Sequence, residues 1–206
     1  MSAVSTSRDP DRLVLFTDAV VAIAITLLVL PLVDIVSESA AEHHTSMEVI
    51  TEHRPQIFSF LLSFAVIALY WLTHHRIFEN VKAYSRSLTL WNLLWLLTIV
   101  VLPFPTEMVG LFSDDVFTTL FYIGTILVSS VCLGAMTLII HGDPEVGREP
   151  KGLTALTVIS ALASAALLVV AFLLSWLVPA VSYYSLLLLL LNPVIDRVLR
   201  PRAASQ

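Results

Sequence analysis

RLVLFTDAVVAIAITLLVLPL, residues 12–32, opens on Arg12, Thr17 and Asp18 and then runs from Ala19 to Leu32 with Thr26 as its one polar side chain. About 20 apolar residues suffice to cross a bilayer as a helix. The stretch therefore predicts a first transmembrane helix. An ionised carboxylate near the start of such a helix needs a partner or a water-filled space, so Asp18 marks the polar end as a place of interest.

The rest of the chain agrees with a membrane setting. It has 206 residues, 57% of them hydrophobic and 13% charged, with mean hydropathy +0.88; globular domains carry about 25% charge. The reading is an all-α integral membrane protein, a single transmembrane domain over residues 1–206 without a separate soluble domain. Six apolar segments stand out, at 13–36, 56–77, 88–109, 116–140, 152–177 and 180–198. Between the first two lies a polar linker, 37–55, whose Glu and Met content suits one or two short surface helices. Pro55 sits where a helix start tolerates proline. Pro103 and Pro105 are expected to kink or end the third helix, and Asp114 and Asp115 to begin the fourth near its positive pole. The single cysteine, Cys132, excludes a disulfide framework and a cysteine metal site. A formal net charge of -5 argues against a nucleic-acid surface. Met1 to Asp11 is polar and shows no cleavable signal.

Basic residues set the expected orientation. With the N-terminus in the cytoplasm, Arg8, Arg12, Arg76, Lys82, Arg86, Arg148, Lys151, Arg197, Arg200 and Arg202 all fall inside, and Arg54 alone falls outside. This asymmetry predicts six spans with both termini cytoplasmic. The linker 37–55 is then extracellular. The outer side carries Asp34, Glu38, Glu42, Glu48, Glu52, Asp114 and Asp115, an acidic face that would concentrate cations.

At about 100° per residue, Ala19, Val20, Thr26, Leu27 and Leu30 fall within about 60° of Ile23, with Phe16 close by. Thr17 and Asp18 point well away from this stripe. Periodicity alone favours a lipid-facing or bundle-facing stripe. The sharper alternative is a pore wall, since hydrophobic constrictions gate ion flow by dewetting. One helix cannot enclose a pore, so that alternative requires several copies around an axis. For Asp18 a structural pairing is favoured over direct ion binding, because its direction is off the stripe. Its candidate partners are Arg12, His74 or His75 on the second helix, and Trp91 or Asn92 on the third. A histidine beside an aspartate would allow pH sensitivity. Adjacent histidines on a helix point about 100° apart, which argues against His74 and His75 holding a metal together.

Arg12, Phe16, Thr17 and Asp18, followed by the run Ala22 to Leu28, resemble the Arg-x-x-x-Phe-Ser-Asp signature and Ala-Ile-Ala-Ile-Thr-Leu-Leu-like tail of the transmembrane protein 175 family of potassium channels. Thr17 stands where serine is usual, keeping the hydroxyl. WLTHHRIF (71–78) and WNLLWLLTIVVLPFPTEMVG (91–110) extend the resemblance over about the first half of the chain; the last three segments match in number and hydrophobicity. The resemblance implies a short prokaryotic member: a homotetramer of six-helix subunits in the plasma membrane, with the first helix of each lining the pore. It makes Ile23 the narrowest apolar ring, with Leu27 and Leu30 in further layers and Thr26 at a hydroxyl position associated with potassium preference. It assigns Arg12, Phe16, Thr17 and Asp18, with His74, His75, Trp91 and Asn92, to a network tying the first helix to the second and third.

No TVGYG-like carbonyl filter is present, so potassium preference must arise elsewhere. The expected function is a potassium-permeable cation channel with K+ as the permeant ion and no cofactor, metal or nucleic-acid partner. The alternative is a proton-coupled secondary transporter or a proton-permeable channel. Against a carrier, there are no paired discontinuous helices, inverted repeat or midplane carboxylates. Against an enzyme, there is no HExxH and no buried nucleophile beside a histidine.

Overall fold

The computed structural model describes residues 10–41, 45–112 and 115–147, all helical apart from short turns and one isolated bridge. The predicted segments 152–177 and 180–198, and the chain termini, lie outside the described residues. Seven helices follow in order: α1 Pro10–Leu27, α2 Leu30–Ala41, α3 Ser46–Glu52, α4 Arg54–Phe78, α5 Arg86–Val101, α6 Pro103–Leu111 and α7 Val116–Gly142. Among the described residues, four stretches are long and apolar enough to cross a membrane: Arg12–Ala41, Arg54–Phe78, Arg86–Leu111 and Val116–Gly142. The chain is a multi-pass membrane protein.

Proline sets two of the breaks. Pro103 cannot donate to the Ile99 carbonyl, and α5 ends at Val101; the Leu102 amide bends back to cover Ile99 O at 3.3 Å. The first segment also breaks, which the reading of 13–36 as one continuous helix did not anticipate. Pro31 has no N–H to give to Leu27 O, and α1 stops at Leu27. The chain passes through a turn at Leu28 and Val29, then resumes as α2 with Val29 O accepting from both Leu32 N (3.1 Å) and Val33 N (3.2 Å). The polar linker adds one short helix, α3, held by a capping box in which Thr45 and Glu48 satisfy each other's exposed backbone and side-chain donors.

The helices pack pairwise, α5 on α7 and α4 on α6, and α1 lies across α4 and α5. Trp95, Leu88 and Ile99 of α5, Ile67 of α4 and Tyr122, Ile123, Ile126 and Met136 of α7 are fully buried between them. Apolar packing alone drives helices together weakly in lipid, where side chains have an oily solvent anyway; hydrogen bonds between helices add orientation. One such cluster joins three helices: Ser63 Oγ on α4 lies 2.7 Å from Thr106 Oγ1 on α6 and 2.9 Å from Tyr122 Oη on α7. At the far end of α7, Val81 pairs with Gly147 as an antiparallel bridge, and Lys82 N donates to Val146 O at 2.9 Å. A Cβ on Gly147 would stand 2.3 Å from Ile140 O, so the backbone passes where no side chain fits.

Candidate pore helix and its anchoring network

Helix α1, with the turn and first residue of α2 that follow it, presents two unlike surfaces. On one side Val21, Ala24 and Leu28 are buried in the core, and Thr17 is 0% exposed. On the other, Ile23 is 59% exposed, Leu27 41% and Leu30 52%, and Thr26 is exposed with them. The stripe read from periodicity is thus uncovered along a single chain, while the polar cluster turns inward on α4 and α5. Thr26 Oγ1 donates to Ile23 O at 2.8 Å. Its hydrogen is committed to its own helix, so the hydroxyl presents oxygen lone pairs outward.

The buried anchor is a relay of three residues. Asn92 Nδ2 on α5 donates to Thr17 Oγ1 at 2.9 Å, and Asn92 Oδ1 lies 2.7 Å from His74 Nε2 on α4. A carboxamide oxygen accepts only, so Nε2 carries the hydrogen. All three residues are fully buried. The His74 ring is stacked between Phe78, with centroids 4.1 Å apart, and Trp95, at 4.5 Å. The extra methyl of Thr17, relative to the serine of the resemblance, is accommodated with the hydroxyl bond intact.

Asp18 takes a different partner from those proposed on sequence grounds. Its Oδ1 accepts from Trp71 Nε1 at 2.8 Å, a hydrogen bond strengthened by the carboxylate charge. The reason is angular: Thr17 and Asp18 diverge by about 100°, so Thr17 reaches α5 while Asp18 reaches α4. Trp71 precedes His74 and His75 by one turn, and its indole N–H is a donor that an inventory of titratable partners passes over. The opening Trp of WLTHHRIF was the available signal. His75 is about half exposed, stacks obliquely on Trp71 at 5.7 Å and has Nε2 3.7 Å from Glu79 Oε1. Trp91 is half-buried against the core. Arg12 is exposed, and Phe16 is 53% exposed on the open face. Within one chain, then, Thr17, His74 and Asn92 form one contact set and Asp18, Trp71 and His75 another. Phe16 stands with the stripe.

The fold superposes on the crystal structure of a lysosomal potassium-selective channel TMEM175 homolog from Chamaesiphon minutus with a TM-score of 0.71 and 25% identity, over 93% of this chain and 98% of that one. A family profile described as Endosomal/lysosomal potassium channel TMEM175 matches residues 12–103, the portion that holds the stripe and both contact sets.

The first half of this chain is similar to the TMEM175 family.

A potassium channel of Chamaesiphon minutus is 37% identical over 99 residues, 48% of this chain and 48% of the relative. A potassium channel of Streptomyces collinus is 36% identical over 103 residues, 50% of this chain and 48% of the relative. The chain spans about half the length of these curated relatives. Their names are those of channels, not of enzymes. Among the described residues no group of three or more His, Cys, Asp or Glu gathers to hold a metal ion.

Proposed function

We propose that this protein is a potassium-permeable cation channel of a prokaryotic plasma membrane, with α1 of each of four copies lining a central pore. The observation that carries this reading is the two-faced first segment: Ile23, Thr26 and Leu27 of α1 and Leu30 of α2 are uncovered while Thr17 behind them is fully buried and anchored. Such a helix is held rigidly by its back and offers an apolar front to other copies. Packed around an axis, Ile23 forms the constriction, with Leu27 and Leu30 as further layers, and hydration of the gap decides conduction. Outward-facing Thr26 oxygens favour cations. The relatives' names, potassium channels, support the choice of ion. The contact sets around Thr17 and Asp18, with Arg12, His74, His75, Trp91 and Asn92 nearby, hold the pore helix at a fixed rotation. Two further spans, 152–177 and 180–198, complete six helices with both termini cytoplasmic, in keeping with the basic residues counted along the chain.

The test is flux from proteoliposomes. With a potassium gradient and no other gradient, the purified protein is expected to pass a downhill current, larger for potassium than for sodium. A flux that vanishes without a proton gradient would replace the channel with a proton-coupled carrier.

A further inference from the structure

Phe16 is the part of the uncovered face that a constriction at Ile23 leaves without a role. At about 100° per residue it points about 20° from Ile23, and it is 53% exposed. Ala19, also exposed, lies between them on the same face. All three belong to α1, Pro10–Leu27, a single uninterrupted helix. At 1.5 Å per residue Phe16 stands about 10 Å nearer the N-terminus than Ile23. Its direction is fixed by its neighbours in sequence. Thr17 is fully buried, and its Oγ1 accepts from Asn92 Nδ2 at 2.9 Å. Asp18 Oδ1 accepts from Trp71 Nε1 at 2.8 Å. Turning Phe16 into the bundle would pull Thr17 and Asp18 out of both bonds. Arg12, one turn before Phe16 in the same direction, is exposed. Its guanidinium stays charged and keeps its head in water or among lipid headgroups. Water therefore reaches the level of Arg12, and Phe16 is the first apolar side chain past it in this direction.

We propose that Phe16 of each copy forms a second apolar ring in the same passage, nearer its N-terminal end than the ring of Ile23. This rests on the reading of α1 as the pore wall. The small Ala19 side chains leave a wider chamber between the two rings. A cation entering from the N-terminal end sheds water at Phe16 before it meets Ile23, because an apolar constriction resists wetting whichever residue forms it. The two barriers stand in series. Hydrating the lesser one changes the current little while Ile23 limits it, and changes it more once the Ile23 ring has been relieved. Phe16 thereby determines conduction, in addition to flanking the anchored Thr17 and Asp18.

Potassium currents of the purified full-length protein are read in planar bilayers. Phe16→Cys, Ile23→Cys and Leu15→Cys are each treated from both sides with a cationic methanethiosulfonate; Cys132, the native cysteine, is buried. Loss of current is expected at positions 16 and 23. It is not expected at Leu15, which is 67% exposed but about 100° from Phe16 around the helix. Loss at 23 without loss at 16 overturns the second ring and leaves the pore reading standing. Loss at neither overturns the pore reading and the ring with it. Equal loss at 15 and 16 also overturns the ring, because the passage would then not distinguish the two faces. Phe16→Asn tests the series arrangement. Its single-channel conductance should rise by a larger factor in an Ile23→Asn background than in the wild-type one. A side chain that only packs the helix alters the number of channels and not the conductance of each, so the same factor in both backgrounds, or no rise in either, overturns the proposal.

Discussion

Asn92 holds its place by serving two partners at once. Replacing it with Leu keeps the volume and leaves the Thr17 hydroxyl and the His74 Nε2–H without their shared partner, at about 1–3 kcal/mol for each buried group. The expected result is a lowered thermal midpoint of the detergent-solubilised protein, with Asn92→Ala lower still because a cavity is added. A midpoint equal to wild type would remove the relay from its anchoring role. Trp71→Phe is a gentler test: it keeps a ring against His75 and deletes the bond to Asp18. A bond to a charged group contributes about 1.5–3 kcal/mol, so the variant should form less oligomer on size-exclusion chromatography while retaining ion preference. Membrane depth pointed to His74 and Asn92 as polar partners for the first helix but assigned them to Asp18; that Thr17 is the residue bonded to Asn92 was not legible, because depth alone does not say which of two neighbouring side chains faces a given helix. Trp71 was not legible either, because an indole in an apolar helix reads as packing until geometry shows where its N–H points.

Among the elements, Asp115 shows how a terminus is fixed. Its carboxylate accepts from Thr118 N at 3.2 Å and from Thr118 Oγ1 at 2.9 Å at the start of α7. These bonds, led by the one from the Thr118 side chain, hold its pKa below the usual carboxylate value. A carboxyl whose folded pKa is depressed contributes stability above its unfolded pKa and loses it as pH falls through the folded one. Amide exchange at Thr118, corrected for the intrinsic pH dependence, should therefore show protection that declines on acidification. Asp115→Asn retains a good capping side chain and should show no such decline. The sequence places this cap correctly, as it does the break before Pro103, since both depend on local chemistry. Pro31 escaped the same logic because hydropathy carried the eye across it: the apolar run continues to Leu32 and Val33, and hydropathy is blind to a missing N–H. The stripe Ile23, Thr26, Leu27 is legible from the 3.6-residue period; the placement of Leu30 past a turn is not, because the period restarts there.

For the whole molecule, the proposed assembly turns on which surface a second copy would cover. Ile23→Asn puts an amide where the apolar ring stands in the proposed pore. Single-channel conductance should rise and discrimination between potassium and sodium weaken; an unchanged current would place the constriction elsewhere. The bridge between Val81 and Gly147 bears on how such a molecule moves. It ties the turn joining α4 to α5 onto the end of α7, and Lys82 N to Val146 O reinforces it. With Ser63, Thr106 and Tyr122 bonded at another level, these helices are fastened at two heights and form a stator. In the proposed channel, movement that opens a passage then falls to the stretch beyond the Asn92 and Trp71 fastenings, where the turn at Leu28 and Val29 interrupts the helix, and not to a breathing of the surrounding bundle.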